Sequence, residues 1–278
     1  MEGVIRDSSG SGAGLIKVGN STLQLERANT FTGGITINGG RVRTTNNSGL
    51  GAGGPITFGA AGTSLDLQAS DVTIGALSSG GPGFGKITRT SGSGTVNLTV
   101  DQDIDTEFSG VIEDGTSSSI SLIKDGSGTL TLSGANTYSG TTTVIGGALI
   151  NNGSITPTTM TVGAGATLGG SGTVGGDTTI SGNLSPGNSP GTLTFVGDLT
   201  LLAGATYTFE GGAPVDGYIS SAGDLVEVGG TLTLTDDWTL ILGSGFQDGG
   251  SVTLFTYGTA GALDLDPTFD LSGLGFIP

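Results

Sequence analysis

Three observations in the sequence predict an all-β fold, a parallel β-solenoid with three short strands per rung and a C-terminal aromatic-rich cap. Short β-branched and leucine-containing triplets recur along the 278 residues, and Gly, Asn or Asp bounds each of them. No segment of helical length carries an apolar stripe at positions i, i+3, i+4 and i+7. A unit of about 40 residues occurs twice, as expected of a repeat architecture.

Composition separates this fold from a flexible linker. The chain has 57 glycines, which a linker could also have, but 34% of its residues are hydrophobic and these are grouped in triplets. It has no cysteine, and a solenoid does not require disulfides because each rung buries its apolar face against the next. No apolar run approaches the roughly 20 residues of a membrane-spanning helix, so we expect no membrane insertion by this segment.

The charge of the chain is strongly negative and unevenly distributed. A formal net charge of −16 makes a nucleic acid partner improbable. All eight basic residues lie in the first half of the chain, at Arg6, Lys17, Arg27, Arg41, Arg43, Lys86, Arg89 and Lys124. Self-repulsion that keeps the chain soluble is one interpretation. The other is a rod whose two ends differ in charge.

The duplicated unit becomes visible when residues 3–7 are aligned with residues 110–114. The alignment continues without a gap, so that 15–17 falls on 122–124, 22–25 on 129–132, 28–33 on 135–140, and 39–42 on 146–149. We predict a β-solenoid repeat array over residues 1–204, with the duplicated unit at 3–44 and 110–151. Wider rungs and a cap of the same solenoid are predicted over 205–278.

Each copy contains the elements of one rung. In residues 22–25 and 129–132 the leucines alternate with polar residues, so the leucines share one face of a strand. The following stretch, 28–33 or 135–140, is predicted as a turn, because Asn and Gly tolerate left-handed backbone. Two further triplets follow, at 35–37 and 41–43 in the first copy. Three short strands joined by tight corners then complete one rung in roughly 20–25 residues, and the chain begins the next rung above its starting point.

The C-terminal quarter is richer in aromatic residues than the rest of the chain. Most of the aromatic side chains lie there, at Tyr207, Phe209, Tyr218, Trp238, Phe246, Phe255, Tyr257, Phe269 and Phe276. A terminal rung has an open edge that must be capped or paired. We therefore predict better-packed rungs and a cap in this region.

Two segments resemble a known family. Residues 126–144 (GSGTLTLSGANTYSGTTTV) resemble the autotransporter-associated β-strand repeat, and residues 182–193 (GNLSPGNSPGTL) are similar to a segment that often follows such repeats in passenger domains. The resemblance implies a right-handed parallel β-helix exported to the surface of a Gram-negative-type bacterium. It implies no particular activity. Since residues 3–7 begin inside a repeat, we expect the chain to be a piece of a longer protein.

The residue types available make catalysis improbable. The chain has no histidine and no cysteine, which removes the commonest general base, a thiol nucleophile and a Ser-His-Asp triad. A polysaccharide-acting β-helix enzyme would need acids beside an arginine or lysine, and Arg89 is the basic residue before the only acidic row. We predict no enzyme activity, no catalytic residue and no cofactor.

The acidic row consists of Asp101, Asp103, Asp105 and Glu107, alternating with other residues. In a strand this spacing would place four carboxylates on one face at intervals of about 7 Å. A solvated strand surface is the main interpretation. The row is also a weak calcium candidate, although Thr106 stands where a calcium loop has its sharp-turn glycine.

Three further segments have two interpretations each. Residues 236–238 (Asp-Asp-Trp) would serve as a carbohydrate platform or, more simply, as part of the core or cap. Residues 264–267 are most simply a turn or strand end. Arg41 and Arg43 should point outward together and serve solubility or contact the acidic half of another molecule.

The sequence as a whole predicts a non-enzymatic structural or adhesive extracellular module of a secreted or surface-displayed bacterial repeat protein. Its partners would be a surface glycan or matrix, or a second copy. The alternative is a self-assembling subunit of an extracellular filament, joined end to end by rung stacking.

Overall fold

A computed structural model of the chain describes residues 3–7, 12–187, 190–215, 218–220, 223–242, 253–263 and 268–270. Regular secondary structure within these ranges consists of β-strands. No helix in this part of the chain is long and apolar enough to cross a membrane.

The strands are numbered in chain order. Those that precede residue 110 are β1 (Leu15–Lys17), β2 (Thr22–Leu25), β3 (Ile35–Ile37), β4 (Arg41–Thr44), β5 (Ile56–Phe58), β6 (Ser64–Leu67), β7 (Asp71–Ile74), β8 (Leu77–Ser79), β9 (Lys86–Thr88), β10 (Gly94–Asp101) and β11 (Thr106–Phe108). Those between residues 110 and 204 are β12 (Val111–Ile112), β13 (Ser118–Asp125), β14 (Thr129–Leu132), β15 (Thr142–Val144), β16 (Ala148–Asn151), β17 (Ser154–Ile155), β18 (Thr159–Val162), β19 (Thr167–Gly170), β20 (Thr173–Val174), β21 (Asp177–Ile180), β22 (Asn183–Pro186), β23 (Thr192–Phe195) and β24 (Leu199–Leu201). The remainder are β25 (Thr206–Phe209), β26 (Gly212–Val215), β27 (Tyr218–Ser220), β28 (Leu225–Leu234), β29 (Thr239–Leu242), β30 (Phe255–Leu263) and β31 (Thr268–Asp270).

The strands stack into three faces that run the length of the molecule. Face 1 contains β1, β3, β5 and β8, and continues with β11, β14, β16, β19, β22, β25, β29 and β31. Face 2 contains β2, β4, β6, β9 and β12, and continues with β17, β20, β23 and the first half of β28. Face 3 contains β7, β10, β13, β15, β18, β21, β24 and the second half of β28. The strand pairs within these faces are parallel, which confirms the predicted β-solenoid with three strands per rung.

Alternation of side chains builds one continuous core. The middle residue of a triplet such as Ile35–Ile37 is partly exposed, and the two flanking residues are buried. The buried residues of all three faces form a single hydrophobic cluster that extends from Leu25 to Leu240. Phe58 and Phe108 pack within it, with ring centroids 5.5 Å apart. Burial of apolar surface against the neighbouring rung is therefore the main stabilising contribution.

The two copies of the duplicated unit begin on different faces. Leu15–Lys17 forms β1 on face 1, whereas its counterpart, residues 122–124, lies in β13 on face 3. The local hydrogen bonds are nevertheless equivalent. The amide of Thr30 donates to the carbonyl of Ile5 at 3.0 Å, and the amide of Thr137 donates to that of Ile112 at 2.9 Å. The unit therefore fits the solenoid wall on more than one face.

The C-terminal region has longer strands and an aromatic cluster. β28 spans faces 2 and 3 without interruption and pairs with β23, β24 and β30. The ring centroid of Phe255 lies 5.0 Å from that of Tyr207 and 6.3 Å from that of Trp238, and Tyr207 also packs against Phe209. An antiparallel pair, β26 and β27, lies between β25 and β28 in the chain.

The predicted cap extends beyond this cluster. Phe246 and Phe276 lie outside the described residues, and the side chains of Tyr218 and Phe269 are outside the description as well. The aromatic-rich packing is confirmed for the residues named above. The division of the chain at residue 204 stays a prediction.

Candidate binding surface

Two buried lysines close the corresponding corner of each repeat copy, although these corners lie on different faces of the solenoid. Alternation within Leu15–Lys17 directs Lys17 inward, where its Nζ donates to the carbonyls of Val18, Gly19 and Gly39 at 2.8, 2.6 and 2.9 Å. Because Gly39 belongs to the next rung, the ammonium group joins two neighbouring corners. Sequence reasoning paired the two lysines in the alignment but assigned them no role, although their inward phase and the glycine two positions later were visible.

Lys124 makes the same contacts in the second copy. Its Nζ donates to the carbonyls of Asp125, Gly126 and Gly146 at 2.6, 3.0 and 3.3 Å, and the side chain is fully buried. Burial lowers the pKa of Lys124, while nearby aspartates, Asp125 foremost, oppose that shift. The three carbonyls and the nearby aspartates therefore offset part of the cost of burying the ammonium group.

A buried asparagine in each copy links neighbouring rungs. Asn29 accepts a hydrogen bond from the amide of Ile5 at 2.8 Å and donates to the carbonyl of Gly49 at 2.7 Å. Its counterpart Asn136 accepts from the amide of Ile112 at 2.9 Å. These side chains satisfy backbone groups where the strand ladder is interrupted.

The acidic row does not lie on one strand, so that prediction was wrong. β10 ends at Asp101, and the chain turns before β11 begins at Thr106. The turn forms because Gln102 folds inward, with 2% of its surface exposed, and its Nε2 donates to the carbonyls of Ile104 and Thr129 at 2.9 and 2.7 Å. The buried side-chain amide of Gln102 thus bonds backbone carbonyls that have no strand partner at this corner.

Three of the four carboxylates bind the next rung. Asp103 accepts hydrogen bonds from the amide and hydroxyl of Ser127 at 3.0 and 2.9 Å, and these bonds lower the pKa of Asp103. Asp105 accepts from the amide of Thr129 at 2.7 Å, and Glu107 accepts from the hydroxyl of Ser133 at 2.5 Å. Among the described residues, no three carboxylates are gathered closely enough to hold a metal ion. The weak calcium site stays a prediction, and its carboxylates do not converge on one point in the described structure.

Arg41 and Arg43 point outward, as predicted, but they neutralise an acid of the same chain. The Nε of Arg43 lies 2.8 Å from Oδ2 of Asp66 on the next rung, and Nη1 of Arg41 lies 3.7 Å from the same oxygen. Burial alone would raise the pKa of Asp66, but hydrogen bonds from Thr90, Gln68 and Arg43 hold it below its usual value. The pair therefore has a partner within the solenoid.

The remaining candidate segments that the structure describes give no assembled site. Trp238 is only 3% exposed and packs in the aromatic cluster, which agrees with the core interpretation of residues 236–238. Residues 264–267 lie outside the described residues. Arg89 donates from Nε to the carbonyl of Ser91 at 3.1 Å. One surface hollow of about 340 Å³ is lined by small residues and Glu107, whose carboxylate is bound to Ser133.

A strip of threonines forms a regular outward row on face 3. Five threonines stand in direct register on consecutive strands, and we call them the threonine ladder: Thr143, Thr161, Thr179, Thr200 and Thr233. Neighbouring strands are about 4.8 Å apart, so the hydroxyls repeat at that spacing along the solenoid axis. The sequence alone did not indicate that this row would be uninterrupted.

A second row runs beside the ladder, two residues earlier along the chain in each rung, on the strand or directly before it. This companion row consists of Thr141, Thr159, Asp177, Asp198 and Thr231. Alternate residues of a strand lie about 7 Å apart on the same face. The two rows together form a two-dimensional array of eight hydroxyls and two carboxylates.

The array rests on a rigid base. The inward-facing side chains Val144, Val162, Ile180 and Leu201, which follow the ladder residues in sequence, are fully buried. β-Branched threonines have few side-chain rotamers. The spacing of the outward groups is therefore fixed by the packing beneath them.

Comparisons with known proteins agree with this architecture. The family model described as passenger-associated-transport-repeat matches residues 15–43 and 122–150, which include both lysine corners. The adhesin BmaC autotransporter of Brucella suis biovar 1 (strain 1330) is 34% identical to the chain over 125 residues. That match covers 45% of this chain and 4% of the length of the relative. The chain is thus a parallel β-solenoid with two segments that match the passenger-associated-transport-repeat model, and it is similar over part of its length to an autotransporter adhesin.

Proposed function

We propose that the chain is a non-enzymatic adhesive module that is secreted or displayed at a bacterial surface. The observation that carries the proposal is the threonine ladder with its companion row, a rigid array of outward polar groups on a repeat architecture similar to an adhesin passenger. The buried polar groups of the wall, by contrast, are engaged in holding rungs together.

Rigidity suits an adhesive role. Each partner contact made by a preordered side chain costs little conformational entropy, so weak contacts that repeat along a solenoid can sum to useful affinity. The described acidic surface also limits non-specific association through self-repulsion.

Adhesion is testable with beads that carry the purified chain. We expect coated beads to be retained on matrix-coated or glycan-coated surfaces under flow more strongly than beads coated with an unrelated acidic protein. Retention equal to that control on every surface would contradict the proposal.

The filament alternative rests on the position of all eight basic residues at or before Lys124. It predicts long unbranched fibres in negative-stain electron micrographs as the concentration of the chain rises. Isolated short rods at every concentration would remove it.

Two chemical alternatives have simple assays. A polysaccharide-acting enzyme would release unsaturated products from polyuronides, and we expect none. Calcium binding at the acidic row of Asp101, Asp103, Asp105 and Glu107 would raise the melting temperature at millimolar calcium. If calorimetric titration with calcium gives no heat and the melting temperature does not change, there is no calcium site.

A further inference from the structure

The hydroxyls of the threonine ladder are available for a ligand, whereas the companion hydroxyl of Thr141 donates to Oγ of Ser121 at 3.3 Å. Within the described residues, none of the hydroxyls of the threonine ladder hydrogen-bonds to a protein atom. This differs from other outward positions, since the hydroxyls of Thr57 and Ser78 on face 1, and those of Thr95 and Ser119 elsewhere on face 3, bond each other at 3.0 Å. The ladder hydroxyls can therefore donate to and accept from an external polar molecule.

The two acids of the companion row retain acceptor capacity. Oδ1 of Asp177 accepts from the amide of Asp198 at 3.0 Å, and Oδ1 of Asp198 accepts from the amide of Thr231 at 2.6 Å. These bonds fix both carboxylates to the rung above them. The second oxygen of each is not used by any hydrogen bond within the described residues, and both side chains are exposed. A fixed carboxylate is a strong acceptor for a hydroxyl group.

Charge restricts the kind of partner. The charged side chains that point outward from the described strands of face 3 and their edges are all acidic: Asp71, Asp101, Asp125, Asp177 and Asp198. A polyanionic glycan would meet like charges along the whole face, which is unfavourable. A neutral chain of hydroxyl-bearing units meets only complementary donors and acceptors.

The periodicity restricts the shape of the partner. One ladder threonine and one companion residue are presented per rung, and the next rung repeats them about 4.8 Å further along the axis. An extended, β-linked sugar chain advances by a closely similar distance per residue. Each rung would then face one sugar, and equivalent contacts would recur on every second rung, because successive β-1,4-linked sugars present opposite edges.

We propose that the threonine ladder and its companion row bind a neutral, extended polysaccharide whose chain lies along the solenoid axis, with about one sugar residue per rung. This rests on the proposed adhesive function and names its ligand class. Ladder hydroxyls and the free oxygens of Asp177 and Asp198 hydrogen-bond the sugar hydroxyls. The stiffness of the threonine side chains keeps the entropy loss on binding small.

The test uses the full chain, a panel of neutral polysaccharides (β-1,4-glucan, chitin, mannan) and one polyuronide as the anionic comparison. The variant Thr161→Val/Thr179→Val removes two ladder hydroxyls and keeps the side-chain shape. The matched control, Thr131→Val/Thr167→Val, makes the same change at outward positions of face 1. We expect binding of at least one neutral polysaccharide, no binding of the polyuronide, and a loss of about tenfold or more in affinity for the ladder variant only.

Each outcome decides between the proposals. Equal binding by the ladder variant and the control would overturn the ladder site, as would preferential binding of the polyuronide. Retention of coated beads on matrix proteins without binding of any polysaccharide would overturn the glycan inference and leave the adhesive function standing. Failure of the beads to adhere to any surface would remove both. Circular dichroism of each variant checks that the fold is retained.

Discussion

One of the buried pairs that differ between the two copies of the repeat provides a natural double-mutant cycle. In the second copy, the hydroxyl of Tyr138 lies 2.7 Å from Oγ1 of Thr142, and both side chains are buried. The first copy has Phe31 and Ile35 at these positions, also buried and without hydroxyls. The polar pair and the apolar pair each fit the same wall.

The cost of breaking the pair follows from its burial. Tyr138→Phe leaves the Thr142 hydroxyl, 1% exposed, without its partner, and we expect a loss of about 1–2 kcal/mol in the free energy of unfolding. Thr142→Ile alone leaves the tyrosine hydroxyl unpaired at a similar cost. The double variant recreates the Phe31–Ile35 pair, so it should recover at least half of the summed loss.

The assay combines urea unfolding, followed by far-UV circular dichroism, with native-state hydrogen exchange of the amides around β15. Exchange gives a local opening free energy, which is needed because a repeat array need not unfold in one step. A coupling energy of about 1–2 kcal/mol between the two positions supports the reasoning. Strictly additive losses would show that the pair does not act as a unit and would refute it.

Three other perturbations test the wall of the solenoid. Lys124→Met should lower the free energy of unfolding by about 2–4 kcal/mol, because three carbonyls lose a charged donor; a change below about 0.5 kcal/mol in urea unfolding would contradict the role of the lysine corner. Gly147→Ala should cost clearly more than Gly165→Ala, since both glycines have positive φ (59° and 81°) but only at Gly147 would the new Cβ meet a neighbouring rung, at 2.3 Å from a carbonyl oxygen; equal costs in the same assay would mean that rungs do not stack as closely as described. Burial raises the pKa of Tyr138 and Tyr207, so the fold keeps these phenols protonated while the unfolded chain loses the protons above about pH 10. The free energy of unfolding should therefore fall as pH rises beyond that value, by up to about 1.4 kcal/mol per pH unit for each tyrosine. If Tyr138→Phe leaves this dependence on pH unchanged, the assignment is contradicted.

Local pattern predicted the strands well because the alternation of side chains is a local property. The leucines of Thr22–Leu25 and Thr129–Leu132 face the core or its edge, as their spacing indicated. The duplication was also visible in the sequence, because the corresponding corners of the two copies use the same lysine and asparagine contacts. The local sequence determined the unit, but not the face of the solenoid on which it lies.

The acidic row shows how a local pattern can mislead. Asp101 to Glu107 alternate with other residues, which is typical of a strand, but the inward phase of that alternation contains Gln102 and Ile104. Gln102 satisfies corner carbonyls, and Ile104 is 61% exposed. A polar residue in the apolar phase was the available sign of a corner.

Contacts between rungs could not be predicted because they depend on register. The contact between Asp66 and Arg43 can be predicted only if the lengths of the intervening corners are known. These lengths vary from rung to rung. The threonine ladder has the same origin: residues as distant in sequence as Thr143 and Thr233 lie in one row. The sequence pattern predicts which residues of a strand point outward, but only the structure shows which outward residues of different rungs are neighbours.

The central claim is that consecutive rungs stack in register beneath one straight row of outward residues, and pulsed electron paramagnetic resonance tests it most directly. The chain has no cysteine, so spin labels can be placed at introduced cysteines alone. Thr73 and Thr233 are joined through seven register steps on face 3, which predicts a separation of about 34 Å, and the four steps from Thr143 to Thr233 predict about 19 Å. Two narrow distributions that differ by about 14 Å, or three strand spacings, would support the account. Broad distributions, or separations that do not scale with the number of strands between the labels, would contradict it.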